Sequence, residues 1–165
     1  MVPQKRIRPL AVCVFRDGNR ILVSDGIDPS DQTAYCRPLG GSIEFGELSA
    51  EAVVREIREE LGAEVRDVRL LGVLENLFTL DGRAGHEIVF VYDARFADES
   101  LYRQDGIPFC ETDRTSGFAR WFDLSRAGDD PAQLAPEGLF DFLRKDADKT
   151  RSIVTGMIRK LEEGL

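Results

Sequence analysis

Three carboxylates crowd one stretch of this chain, AEAVVREIREELGA at 50–63, at positions Glu56, Glu59 and Glu60. At about 100° per residue they share one sector of a helix, beside an apolar sector of Val53, Ile57 and Leu61. Glu51, Arg55 and Arg58 take the remaining arc. Glu60 lies nearest the apolar edge, so its charge is expected to be the least solvated of the three. Glu56 and Glu60 are like charges at i,i+4, which destabilises an isolated helix by about 0.2–0.5 kcal/mol. Arg55 reaches Glu51 and Glu59 by the same spacing, but no helix base stands between Glu56 and Glu60. A hard divalent cation with oxygen ligands would relieve that repulsion; a solvated acidic face is the alternative. Three glycines ahead of the helix, Gly40, Gly41 and Gly46, favour the first reading, because backbone without Cβ lets a ligand come close.

The elements that must position these groups are legible in outline. Residues 49–61 predict a helix, with Ser49 as N-cap, Glu51 in the first turn and Gly62 as its stop. Before it, 6–15 and 19–25 read as a hairpin closed at Asp17-Gly18, and Thr33 to Leu39 as a short strand entering the glycine pair. After it, 64–80 and 86–96 read as a second hairpin around the turn 81–85. Residues 97–117 predict a long loop, 119–124 a last strand, and 138–145 the start of a helical end. Residues 147–163 are expected to form a further amphipathic helix through Ile153, Met157, Ile158 and Leu161. Strands on both sides of one central helix, with helices at the end, predict an α+β fold: a mixed sheet covered on both faces.

The chain has 165 residues with a net charge of −8, enough for one domain and one core; no domain boundary shows in 1–165. That charge argues against nucleic acid as a partner, because phosphate backbones need a basic surface. No apolar run approaches the roughly 20 residues of a membrane span. The basic start, MVPQKRIRPLAVCVF, leads into a strand-like stretch rather than a signal sequence, and a cytoplasmic protein is expected. Cys13, Cys36 and Cys110 lack any Cys-x-x-Cys spacing and read as buried free thiols.

The stretch Gly41–Ala63 resembles the Nudix box, Gly-x5-Glu-x7-Arg-Glu-(apolar)-x-Glu-Glu-x-Gly-(apolar). Gly41, Glu47, Arg55, Glu56, Ile57, Glu59, Glu60 and Gly62 meet it in order, with Ala63 smaller than the usual closing aliphatic. Proline stands one residue earlier than in many relatives, in Arg37-Pro38-Leu39-Gly40-Gly41. The resemblance implies a Nudix-type α/β/α sandwich and hydrolysis of a nucleoside diphosphate linked to another group X, with Mg2+ or Mn2+ and a water nucleophile. Glu56, Glu59 and Glu60 would be metal ligands with the Gly40 carbonyl, and Glu47 and Arg55 would brace the loop against the helix. The base that takes the water's proton is a box glutamate in some relatives and a distant one in others. Glu87 and Glu111 are the distant candidates here, with a surface strand-end charge and a solvated loop acid as their plain alternatives.

Other side chains invite roles at the substrate. Arg37, beside the glycine turn, would meet a phosphate or a surface ion pair. Phe45, Phe78 and Phe109 would stack a base or pack at the core and rim. His86 reads as an ordinary strand-start residue. The features that mark ADP-ribose, dinucleoside polyphosphate and NADH hydrolases are absent downstream of the box, and Phe78 stands where the first two carry Pro or Tyr. Nucleoside triphosphates, oxidised ones included, and sugar nucleotides are therefore the expected substrates. A nucleotide-sensing module without cleavage, or an ADP-ribose or dinucleoside polyphosphate hydrolase, is the alternative. Many relatives are dimers, so a homodimer is within the family's range.

Overall fold

The first strand, β1 (Arg8–Val14), divides the core in two. Its alternate side chains point to opposite faces, as any strand requires. Ala11, Cys13 and the following Phe15 enter one apolar cluster, while Leu10, Val12 and Val14 enter the other. A computed structural model describes residues 5–111 and 115–146. The remaining elements are β2 (Arg16–Asp17), β3 (Arg20–Ile27), β4 (Ala34–Arg37), β5 (Leu39–Ser42), α1 (Ser49–Leu61), β6 (Val65–Leu80), β7 (Arg83–Phe96), β8 (Gly106–Cys110), β9 (Ser116–Asp123) and β10 (Gln133–Leu134). Residues 139–146 are helical, and the helix expected over 147–163 lies outside the described residues. Among the described residues no helix is long and apolar enough to cross a membrane.

Two sheets result, ordered β5-β1-β7-β6 and β10-β4-β3-β9-β8, with β2 paired to β3. The first is mixed, because β1 runs parallel to β7 and antiparallel to β5. Ala52, Val53 and Ile57 of α1 cover one face, and Leu139 and Leu143 cover the other. This is the α+β sandwich with mixed strands that the sequence predicts, built on two sheets rather than one.

Four expectations about elements need correction. The chain from Thr33 does not end its strand at the glycines: Pro38, which has no N–H to give a ladder, separates β4 in one sheet from β5 in the other. Likewise the turn at Gly18 pairs only the short β2 with β3, so β1 leaves for the neighbouring sheet. The expected loop 97–117 contains a 3-10 turn at Glu99–Arg103 and the strand β8. Pro108 masks that strand in the sequence, yet an edge strand tolerates it. Ser49 is the first helical residue rather than the cap; Leu48 holds that place, and the Ser49 hydroxyl instead meets the Tyr92 hydroxyl at 2.6 Å.

Elsewhere the local chemistry acts as expected. Gly62 stops α1 in a left-handed conformation, donating its N–H to the Arg58 carbonyl at 2.9 Å. The turn expected over 81–85 is tighter than that, since β7 begins at Arg83: Asp81 and Gly82 both have positive φ, 52° and 68°, giving the two-residue turn that suits a twisted hairpin between β6 and β7. Cys13 and Cys36 are buried, whereas Cys110 is exposed at the end of the edge strand, against expectation.

Candidate active site

Arg55 organises the turn before α1. Its Nε and Nη2 grip the two Glu47 carboxylate oxygens at 2.8 and 3.0 Å. Nη2 also donates to the Ser42 carbonyl at 3.0 Å, and Nη1 donates to Glu56 at 3.0 Å and Glu59 at 3.2 Å. Only a planar guanidinium can serve so many acceptors at once. The Arg55 hydrogen bonds, helped by the Glu44 N–H, take the Glu47 carboxyl down to about 2. That pair therefore stays ionised above about pH 4 and loosens only as the pH falls toward 2. Arg55→Lys is expected to lower kcat/KM by about 10–100-fold, because an ammonium cannot hold Glu47, Ser42 and Glu56 together. Steady-state assays with a melting curve check it; unchanged turnover contradicts the bracing role.

The helix carboxylates face the glycine strand. Glu56 is only 7% exposed and lies against Gly41, where a Cβ would come within 2.5 Å of its carboxyl carbon. Glu60 accepts the Gly40 N–H at 3.2 Å. Burial raises the pKa of both, and the neighbouring carboxylates add to it. Glu60 is pushed up to about 7, with Glu56 and Glu111 contributing after burial. Glu56, although it has little exposed surface, is raised less far, because Arg55 Nη1 donates to it. The order expected from the helix wheel thus holds for the charge but not for the exposed area. Glu59 is exposed.

These groups line a cleft of about 570 Å3 that also contains Arg37, Glu111, Glu44 and the Gly40–Ser42 backbone. A second cavity of about 760 Å3 adjoins it, and the two share Arg8, Arg37, Asn76, Glu87 and Ala135. Crowded carboxylates with raised proton affinity are the donor set a hard divalent cation takes. Among the described residues, no three acidic, histidine or cysteine side chains stand in ligand geometry as they are. Arg55 Nη1 lies between Glu56 and Glu59, and turning Glu59 away from it would open the position.

The other candidates are distributed as follows. Glu87 is no surface strand-end acid: it sits within β7, 7% exposed, bound by Arg8 and by Asn76 Nδ2 at 3.2 Å. Glu111 follows directly on β8 and pairs with Arg37 at 3.4 Å, both on the cleft. Phe45 is fully exposed and lines neither cavity, so it is placed neither to stack a base nor to pack. Phe78 lines the second cavity and lies over Gly85, while Phe109 packs against the core around α1. His86 pairs with Glu75 at 2.9 Å, away from both cavities. Sequence reasoning missed Arg8 and Asn76. Only the register of β1, β7 and β6 brings them to the cleft, and no local spacing announces it.

The NUDIX domain model matches residues 5–145. Over 69 residues the chain is 41% identical to the NAD-capped RNA hydrolase NudC of Mycobacterium tuberculosis (strain ATCC 25618 / H37Rv), which covers 41% of this chain and 21% of that protein. The match thus spans about a fifth of the length of those curated relatives. It is 31% identical over 125 residues to the putative 8-oxo-dGTP diphosphatase YtkD of Bacillus subtilis (strain 168), covering 75% of this chain and 65% of that protein. Among solved structures, a NUDIX hydrolase from Nitrosomonas europaea shares the fold at TM-score 0.61 and 17% identity, over 87% of this chain and 90% of that one. The MutT NUDIX hydrolase from Burkholderia pseudomallei superposes at 0.55 with 27% identity, over 73% of this chain and 86% of that one. A domain match over most of the length, with Gly41, Arg55, Glu56, Glu59 and Glu60 of the box along one cleft, means that this chain belongs to the Nudix family.

Proposed function

We propose that the chain is a metal-dependent pyrophosphohydrolase that cleaves a nucleoside diphosphate linked to another moiety. The observation that carries this reading is the cleft itself, where buried Glu56 and half-buried Glu60, both raised in pKa by desolvation, meet the glycine strand. Glu56, Glu59, Glu60 and the Gly40 carbonyl would hold the cation. Bound there, Mg2+ or Mn2+ would neutralise the diphosphate and acidify a water. Arg55 and Glu47 keep the carboxylates in register with the turn. Arg37 and Arg8 offer positive charge to a phosphate at the wall shared with the second cavity. Glu111, which lines the cleft and adds to the field at Glu60, would be the acid outside the helix that takes the water's proton.

Nucleoside triphosphates, including oxidised ones, and sugar nucleotides are the substrates proposed. The likeness to YtkD supports the first group, and the short likeness to NudC adds a dinucleotide-type linkage to the panel. Hydrolysis should be screened over triphosphates, 8-oxo-dGTP, sugar nucleotides, ADP-ribose and NADH. Turnover of at least one compound with Mg2+ or Mn2+, abolished by EDTA, is the expected result. Cleavage that persists in EDTA would contradict the metal role.

One observation favours a second reading, a module that binds nucleotide without cleaving it: Arg55 Nη1 occupies the gap between Glu56 and Glu59. Nucleotides that raise the melting temperature while none is cleaved would decide for it.

A further inference from the structure

Three side chains form one row across the first sheet. Glu87 on β7 is the register partner of Arg8 on β1 and of Asn76 on β6. Residues paired in register share a face of the sheet, and this row lines both cavities at their common wall. Glu87 and Asn76 are 7% and 8% exposed, so the packing around them limits how far their side chains can turn. Arg8 binds one Glu87 oxygen, and Asn76 Nδ2 donates to the other at 3.2 Å.

An ionised carboxylate only accepts hydrogen bonds, so it fixes which way the Asn76 amide faces. Nδ2 is turned toward Glu87 and Oδ1 away from it. Among the described residues no hydrogen bond reaches that Oδ1. That Oδ1 is not sealed from solvent, so on a residue lining both cavities it is an accessible acceptor with no protein donor, open to an N–H donor of a ligand in place of water.

The second cavity narrows what that ligand group is. Beyond Arg8 and Arg37 at the shared wall its charged residues are acidic: Asp28, Asp31, Glu137 and the Arg8-bound Glu87. Such a lining repels phosphate and carboxylate. Tyr35, Phe78 and Phe140 add apolar ring surface, the usual wall of a site for a flat group.

We propose that the row Arg8–Glu87–Asn76 separates the phosphates from the nucleobase: Asn76 Oδ1 accepts an N–H of the base in the second cavity, and Glu87 is the positioning residue that keeps Asn76 an acceptor. This rests on the pyrophosphohydrolase reading only in placing the diphosphate on the α1 side of the row. A base that presents adjacent N–H donors, as guanine does, is favoured over uracil, which has one.

The test is Glu87→Gln, which keeps the shape but adds a donor, so that the Asn76 amide is free to turn. Guanosine, adenosine, cytidine and uridine 5′-monophosphates are titrated calorimetrically in EDTA, which takes metal and turnover out of the readout. Wild type should bind GMP at least about tenfold more tightly than UMP, and the substitution should shrink that ratio to within about threefold. Asn76→Ala, which leaves the Arg8–Glu87 pair intact, should do the same and serves if the first variant does not fold. An unchanged GMP to UMP ratio in the folded variants, or no preference in wild type, overturns the proposal. Where a substrate is cleaved, the loss should fall mainly on KM. A fall in kcat alone would make Glu87 a general base instead, and a lower Tm with unchanged Kd and KM would make the row merely structural. If nothing is cleaved but the GMP preference depends on Glu87, the enzyme reading fails and the row's assignment stands.

Discussion

Glu60→Gln is expected to lower kcat by at least about 100-fold while the fold persists. In the proposed site the substitution would remove one charge from the set of cation ligands, and it keeps the shape that accepts the Gly40 N–H. It should also change the stability profile of the metal-free protein. Burial first, and Glu56 next, raise the Glu60 carboxyl from an ordinary 4.5 to about 7. The folded protein therefore binds more protons at this site than the unfolded chain between those values. Stability falls as pH rises from about 4.5 to 7, because the folded form must then ionise a poorly solvated acid. In the variant that slope should flatten, and the melting temperature at neutral pH in EDTA should rise. Adding Mg2+ or Mn2+ should stabilise wild type more than the variant, since binding to the native form adds stability by mass action. Near wild-type turnover in the variant would defeat the ligand assignment, and a drop in melting temperature would defeat the account of its burial.

Gly40→Ala is expected to unseat the glycine strand. A Cβ there would lie 2.2 Å from the Ala11 carbonyl oxygen and 2.7 Å from the Val12 Cα, at a φ of 139°. Both obstacles are backbone of β1, which is buried on both faces and has nowhere to move. The loss should be about 3 kcal/mol or more, on the order of 10 °C in melting temperature. Gly46→Ala is the control: its φ is 85°, but nothing lies within 4 Å of the added Cβ, so only about 1 kcal/mol of backbone strain is expected. Equal losses in the two variants, read by thermal unfolding, would contradict the close approach of β5 to β1.

What the sequence revealed follows from how local each cause is. The helix over 49–61 was legible because its period, its first-turn acid and its closing glycine lie within one short stretch. The box glutamates were legible for the same reason. Ser49 misled because a residue on β7, Tyr92, takes its hydroxyl. β8 was hidden by Pro108, whose acceptability depends on being at a sheet edge, a tertiary fact. The division into two sheets turns on Pro38, whose effect shows only once β1 pairs elsewhere. Glu87 was visible as a residue but not as part of a row, because its partners stand on strands far apart in the chain. Phe45 misled in the other direction: nearness to the glycines in sequence did not carry its ring into the cleft.

Diffraction from crystals soaked in manganese with a nucleoside diphosphate, at a wavelength where manganese scatters anomalously, tests the metal assignment most directly. A peak within coordination distance of the Glu56, Glu59 and Glu60 carboxylates, with Glu59 turned off Arg55, is the predicted result. A map with no peak there, and Arg55 still seated between Glu56 and Glu59 beside bound nucleotide, would contradict it.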